Sequence, residues 1–254
     1  DVVMNNSPID IDKLIEGTNE ILTANRNSLQ LFDMLHSMRQ FDDLTYVHSV
    51  NVALIASILG QWLKFSEKDI RILTISGLLH DIGKIMIPNE ILTKPGKLTV
   101  AEYNIMKQHV NFGYEKVKNQ NIDIRIKEAC LLHHEKCDGT GYPFGLKSDH
   151  IPAVAKIIAI ADVYDAMTSA RVYRGALCPF EVIDTMYKDA FTKFEPEYIL
   201  PFLKNVASSY INNDVRLSDG RIGKVVLINE NALSLPIVQC EDEFIDLSKT
   251  RELT

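Results

Sequence analysis

Apolar residues recur at spacings of three and four through most of this chain, and that period fixes a largely helical architecture. Ile11, Leu14, Ile15, Ile21 and Leu22 follow it, as do Val47, Val50, Leu54, Ile55, Ile58 and Leu59. The spacing predicts helices over 11–39, 44–64, 67–83, 100–119, 122–134, 153–169, 179–191 and 196–212. Start signals agree. Ser66 with Asp69 and Thr99 with Glu102 fit a Ser or Thr cap followed three residues later by a carboxylate, and Pro179 suits a first helical turn. Trp62, at helical spacing from Leu59 and Ile58, reads as a core residue.

Two loops interrupt the series, Ile87 to Leu98 and the Gly-rich stretch from Cys137 to Asp149, whose composition is that of a substrate-covering loop. After about Asp214 the pattern changes to short strand-like runs, Arg221–Ile228, Leu235–Cys240 and Phe244–Leu247, broken by turn residues. The expectation is an all-α bundle with a small C-terminal β-appendage: an N-terminal helical segment over 1–39, a main domain over 40–212 and the appendage over 213–254.

A chain of 254 residues, 46% hydrophobic and 24% charged, has enough apolar material for a sizeable core. Its net charge of −7, without a Lys/Arg run, argues against a nucleic-acid duplex as partner. A small anion is still compatible, because bound metal ions reverse the local field. Four cysteines form no CxxC pair, and neither a signal peptide nor a long apolar stretch is visible, so a cytoplasmic location without membrane contact is expected. The chain opens on Asp1 rather than Met and reads as part of a longer protein, compatible with a homodimer or an attached sensory domain.

Chemistry concentrates in the histidines. Five of the seven, His48, His80, His109, His133 and His134, lie on or beside predicted helices, with Asp81 and Asp162 as carboxylate companions. An His-Asp doublet plus an His-His doublet points to a metal centre, and imidazole with carboxylate suits Fe, Mn, Zn or Ni better than Mg or Ca. Asp81 has two oxygens and can bridge two ions; His48 and Asp162 would complete one shell, with His109, His133 and His134 in the other. Two ions about 3.5–4 Å apart deprotonate a shared water near neutral pH and stabilise attacking and leaving oxygens, which is what phosphodiester hydrolysis demands. Lys84, four residues after His80, shares its helix face if the helix continues, and can neutralise a phosphate oxygen. His36 and His150 match no metal pattern, and Cys137 has no evident role.

The motif series resembles the HD-GYP family of the HD phosphohydrolase superfamily. It runs His48-Ser49-Val50-Asn51-Val52-Ala53, Leu79-His80-Asp81-Ile82-Gly83-Lys84-Ile85 and Lys107-Gln108-His109-Val110, then His133-His134-Glu135-Lys136-Cys137-Asp138-Gly139-Thr140-Gly141-Tyr142-Pro143 and Ala161-Asp162-Val163-Tyr164-Asp165-Ala166-Met167-Thr168-Ser169. The resemblance covers roughly residues 40–205. It implies an HD-type helical bundle, a metal centre of two or three ions, and hydrolysis of cyclic di-GMP to the linear dinucleotide and sometimes GMP. Metal ligands carry over to His48, His80, Asp81, His109, His133, His134 and Asp162, with Asp81 and Lys84 in catalytic positions. The loop holding Asp138, Gly141, Tyr142 and Pro143 would border the substrate, and Tyr142 can stack on guanine or anchor the loop.

Two departures bear on this. Trinuclear members place a carboxylate one turn before the first histidine, where this chain has Leu44, with Asp43 one position out of register; two transition-metal ions, Fe or Mn, are therefore expected, with Zn or Ni as alternatives. The usual Ser-Asp-Arg-Pro-Tyr-Arg run appears as Ser169-Ala170-Arg171-Val172-Tyr173-Arg174, which keeps both arginines as substrate contacts, Arg171 for a phosphate or base. A mixed guanine-adenine cyclic dinucleotide is the alternative substrate, and a catalytically silent sensor of such a ligand the alternative class.

Overall fold

The computed structural model describes residues 44–169 and 177–250. The expected N-terminal segment, Asp43, Arg171 and Arg174 lie outside the described residues. Helices α1 (Leu44–Trp62) and α2 (Glu67–Leu79) are followed by a 3-10 turn at Ile82–Met86, short α3 (Asn89–Leu92), α4 (Val100–Met106), α5 (His109–Val117) and α6 (Ile124–Leu132). After a long loop come α7 (Ala153–Thr168), α8 (Pro179–Asp189) and α9 (Pro196–Ser209). This is the helical bundle with a small C-terminal sheet that the sequence implies.

The caps act as expected. Ser66 Oγ accepts the Asp69 N–H, and Thr99 and Glu102 form a reciprocal capping box, a device worth about 1 kcal/mol. From Asn51 to Leu59 every residue of α1 is buried, and α7 is buried on most of its circumference, so these two apolar helices form the bundle's centre. Side chains such as Leu54, Ile58, Ile157 and Ile160 are fully enclosed, each worth about 1.5–3 kcal/mol. Trp62 packs against this core with its ring 6.2 Å from that of Phe202.

Strands β1 (Asp214–Arg216), β2 (Ile222–Leu227), β3 (Ile237–Cys240) and β4 (Glu243–Asp246) form an antiparallel meander. The paired row Val225, Val238 and Ile245 is buried and belongs to the same apolar cluster as the helices, whereas the neighbouring row includes exposed Lys224 and Phe244. The three-residue β1 is too short to leave a period in the sequence.

Two helix expectations need correction, and both changes shape the site. The helix expected over 67–83 stops at Leu79, so His80 and Lys84 do not share a continuous helical face. Gly83 allows the 3-10 turn to press on α5: a Cβ there would stand 1.9 Å from the His109 carbonyl oxygen. The helix expected over 100–119 breaks at Lys107-Gln108 into α4 and α5. Among the described residues, no helix is long and apolar enough to cross a membrane.

Candidate metal centre

α1 delivers His48, the end of α2 delivers His80 and Asp81, α5 opens on His109, α6 ends at His133 and His134, and α7 supplies Asp162. Their ligating atoms gather into two groups, Asp81 with His109, His133 and His134, and His48 with His80 and Asp162. Asp81 touches both. Its Oδ1 lies 3.3 Å from His109 Nε2 and 3.8 Å from His133 Nε2, while its Oδ2 lies 3.3 Å from His80 Nε2 and 3.6 Å from His48 Nε2. His48 Nε2 also lies 3.1 Å from Asp162 Oδ1, and His134 Nδ1 lies 3.9 Å from Asp162 Oδ2.

Hydrogen bonds on the far side of the rings decide which nitrogen is available. His80 Nδ1 lies 2.7 Å from the Gly77 carbonyl, His109 Nδ1 2.7 Å from that of Met106 and His133 Nδ1 3.0 Å from that of Ala129. A carbonyl oxygen can only accept, so each Nδ1 donates and each neutral ring leaves its Nε2 lone pair pointing inward. His48 is held the same way by Asp165, whose Oδ2 lies 2.7 Å from His48 Nδ1; Asn51 and Ser169 donate to the other Asp165 oxygen.

This is the outer support found around metal-ligating histidines. The inward atoms fit a cation as well. Among the described residues, no group stands in hydrogen-bond geometry to buried His80 Nε2 or Asp81 Oδ1, although His109 Nε2 lies 3.3 Å from the latter. His109 Nε2 and His133 Nε2 face each other at 3.4 Å; two lone pairs in that position repel unless a proton or a metal ion comes between them. The residues present therefore suit metal ions.

Electrostatics agree with this donor set. Burial pushes the His133 imidazole well below its usual range and His134 down to about 4, so both stay neutral as ligands must. His109 is lowered for the same reason. Burial opposes ionisation of Asp81 and Asp162, but surrounding cations and imidazoles outweigh it and hold both below the usual carboxylate range. His48 is the exception: burial opposes its charge, yet Asp162, Asp165 and Asp81 raise it to about 9, so near neutral pH without metal the ring carries a proton that a bound ion would have to displace.

Lys84 sits in the 3-10 turn with its ammonium on Asp81 Oδ2, contacting the carboxylate that lies between the two groups. The loop after α6 is fastened to the centre. Tyr142 stacks on His134 with ring centroids 4.7 Å apart, and its N–H donates to the His134 carbonyl. Gly141 fits against that backbone because a Cβ there would stand 2.4 Å from Lys136 N. Pro143 follows through a cis peptide bond. Asp138 accepts the backbone N–H and hydroxyl of Thr140, which shapes the loop's start.

Glu135, buried behind the His-His doublet, accepts the N–H groups of Phe144, Gly145 and Leu146. The sequence reading assigned no role to Glu135 or Asp165. His150 is exposed, and Cys137 donates its N–H to Lys193, apart from the centre.

A family model described as "HD domain" matches residues 15–198. The chain is 36% identical over 203 residues to the cyclic di-GMP phosphodiesterase PA4108 of Pseudomonas aeruginosa, covering 80% of this chain and 49% of that protein. It is also 36% identical over 173 residues to the 3'3'-cGAMP-specific phosphodiesterase 1 of Vibrio cholerae, covering 67% of this chain and 38% of that protein. Among solved structures, an HDG"Y"P protein from Bdellovibrio bacteriovorus superposes with a TM-score of 0.63 at 20% identity, over 79% of this chain and 65% of that one. The chain spans about half the length of the first curated relatives it matches. By the HD domain match and the motifs gathered at this centre, the chain belongs to the HD domain family, in its HD-GYP branch.

Proposed function

We propose that this chain is a metal-dependent phosphodiesterase that hydrolyses a cyclic dinucleotide, cyclic di-GMP first, to the linear dinucleotide and onward to GMP. The observation that carries this reading is the Asp81 carboxylate, whose two oxygens each reach a separate group of inward-facing ligand atoms. His48, His80 and Asp162 would hold one ion and His109, His133 and His134 the other, with Asp81 shared. Fe or Mn suits this mixed imidazole and carboxylate set, and Zn or Ni is the alternative. Such a pair, when bound, activates water and offsets charge building on phosphorus.

The protein's own groups do the rest. The Nδ1 hydrogen bonds fix the imidazoles so that little reorganisation accompanies the reaction. Lys84, beside Asp81, can move its ammonium to a nonbridging phosphate oxygen. Tyr142, fixed on His134, gives the substrate a wall. Asp138, Gly141 and Pro143 hold that wall in shape, and Arg171 and Arg174 are proposed as further phosphate or base contacts.

A second reading, hydrolysis of a mixed guanine-adenine cyclic dinucleotide, is favoured by the similarity to the Vibrio cholerae enzyme. The test is an anaerobic assay of protein reconstituted with Fe(II) or Mn(II) against cyclic di-GMP, 3'3'-cGAMP and cyclic di-AMP, with product analysis. Preferred turnover of cyclic di-GMP is expected. Preference for 3'3'-cGAMP would establish the second reading, and binding without hydrolysis would make the chain a sensor.

A further inference from the structure

Lys107, at the junction of α4 and α5, stands at the rim of the metal centre. Its ammonium stands 5.3 Å from the ring centroid of Tyr103 and 6.0 Å from that of Tyr142. Tyr142 in turn lies 4.7 Å from the His134 ring and 6.4 Å from the His109 ring, so Lys107 sits one aromatic ring further out than the ligand histidines. Lys84 is paired with Asp81, Lys94 with Glu102 and Lys118 with Glu115, but no carboxylate among the described residues pairs with the half-buried Lys107.

We propose that Lys107 is a specificity-determining residue that receives the second, uncleaved phosphodiester of the substrate, with Tyr103 and Tyr142 as walls that guide its stem. This rests on the reading of the chain as a cyclic-dinucleotide phosphodiesterase. A cyclic dinucleotide carries two phosphodiesters on one small ring. When one occupies the metal centre, the other is carried outward, and in a chain of net charge −7 it needs a local cation.

An ammonium on a four-carbon stem is a compact charge suited to a phosphate oxygen. Two flanking phenol faces hold it by weak cation–π attraction, from which a phosphate can draw it away. Lys107 and Gln108 join α4 to α5 in right-handed helical conformation, and Lys107 and His109 both border the Tyr142 ring.

The test compares two substrates on the metal-loaded protein: cyclic di-GMP, with two phosphodiesters, and bis(p-nitrophenyl) phosphate, with one. Lys107→Ala should lower the ratio of kcat/KM for the cyclic dinucleotide to that for the nitrophenyl ester by about tenfold, the scale of one screened charge contact, mainly through KM. Lys107→Arg, which retains the charge, should recover most of the ratio, and the salt dependence of KM for the cyclic dinucleotide should become shallower in Lys107→Ala. An unchanged ratio, or equal loss on both substrates, would overturn the assignment. Wild-type protein that cleaves the nitrophenyl ester but no cyclic dinucleotide would instead refute the substrate reading, and the Lys107 assignment with it.

Discussion

His109 Nε2 and His133 Nε2 face each other at 3.4 Å, while the Nδ1 of each ring is committed to a backbone carbonyl. An arrangement that sets two lone pairs together and fixes both rings from behind is a site prepared for a cation. Removing one ligand from each group should therefore lower metal content separately: His133→Ala and His48→Ala to about one ion per chain, Asp81→Ala close to none. Elemental analysis of folded variants prepared without chelator or air checks this. Full retention of metal by Asp81→Ala would show that the carboxylate is not shared.

Asp165 acts through His48. The Asp165→Asn change keeps the shape but replaces the carboxylate that holds His48 Nδ1 with a weaker, neutral acceptor. Metal affinity should fall by about 10–100-fold with helical content unchanged. Metal titration followed alongside circular dichroism measures both, and wild-type affinity in the variant would reduce Asp165 to a packing residue.

Glu135 clasps three consecutive backbone N–H groups, and Glu135→Ala leaves them to water. Each charge-assisted hydrogen bond is worth roughly 1.5–3 kcal/mol, so the loop over 138–147 should open locally while the α1–α7 core keeps its stability. Hydrogen exchange should show faster exchange confined to that loop, together with a lower kcat/KM as Tyr142 loses its fixed place. Unchanged loop exchange would contradict the role.

Lys84→Ala should leave metal content intact and lower kcat/KM by around 10²–10³, as for loss of one preorganised electrostatic donor. Lys84→Arg should restore activity only in part, because a planar fork does not reproduce a point charge. If metal content falls in Lys84→Ala, the ammonium serves to position Asp81 instead. Steady-state kinetics at measured metal occupancy separate the two outcomes.

Much of this fold is legible because apolar period and caps are local properties. Val50 to Leu59, the Ser66 cap and the Thr99-Glu102 box announce their helices without tertiary help. The breaks at Leu79 and at Lys107-Gln108 are not announced, since no Gly or Pro stands at either point. They accompany one contact distant in sequence, Gly83 pressed on the His109 backbone, and two local ones, the imidazoles of His80 and His109 bonded to carbonyls three residues back.

Within the centre, the histidines and Asp81 stand out by residue type. Asp165 reads in sequence as one more helical carboxylate until His48, 117 residues away, is brought to it. Glu135 is still less visible, because its partners are backbone amides that no side-chain pattern encodes. Lys107 lies within the Lys107-Gln108-His109-Val110 run, but only the ring of Tyr142 gives it a place.

The most direct test of the account is anaerobic titration of metal-free protein with Fe(II) or Mn(II), with cyclic di-GMP hydrolysis measured at each step. Two ions acting together predict negligible turnover in stripped protein and a rise that levels off near two equivalents per chain. Turnover without metal, full activity at one equivalent, or a plateau reached only at three would contradict it.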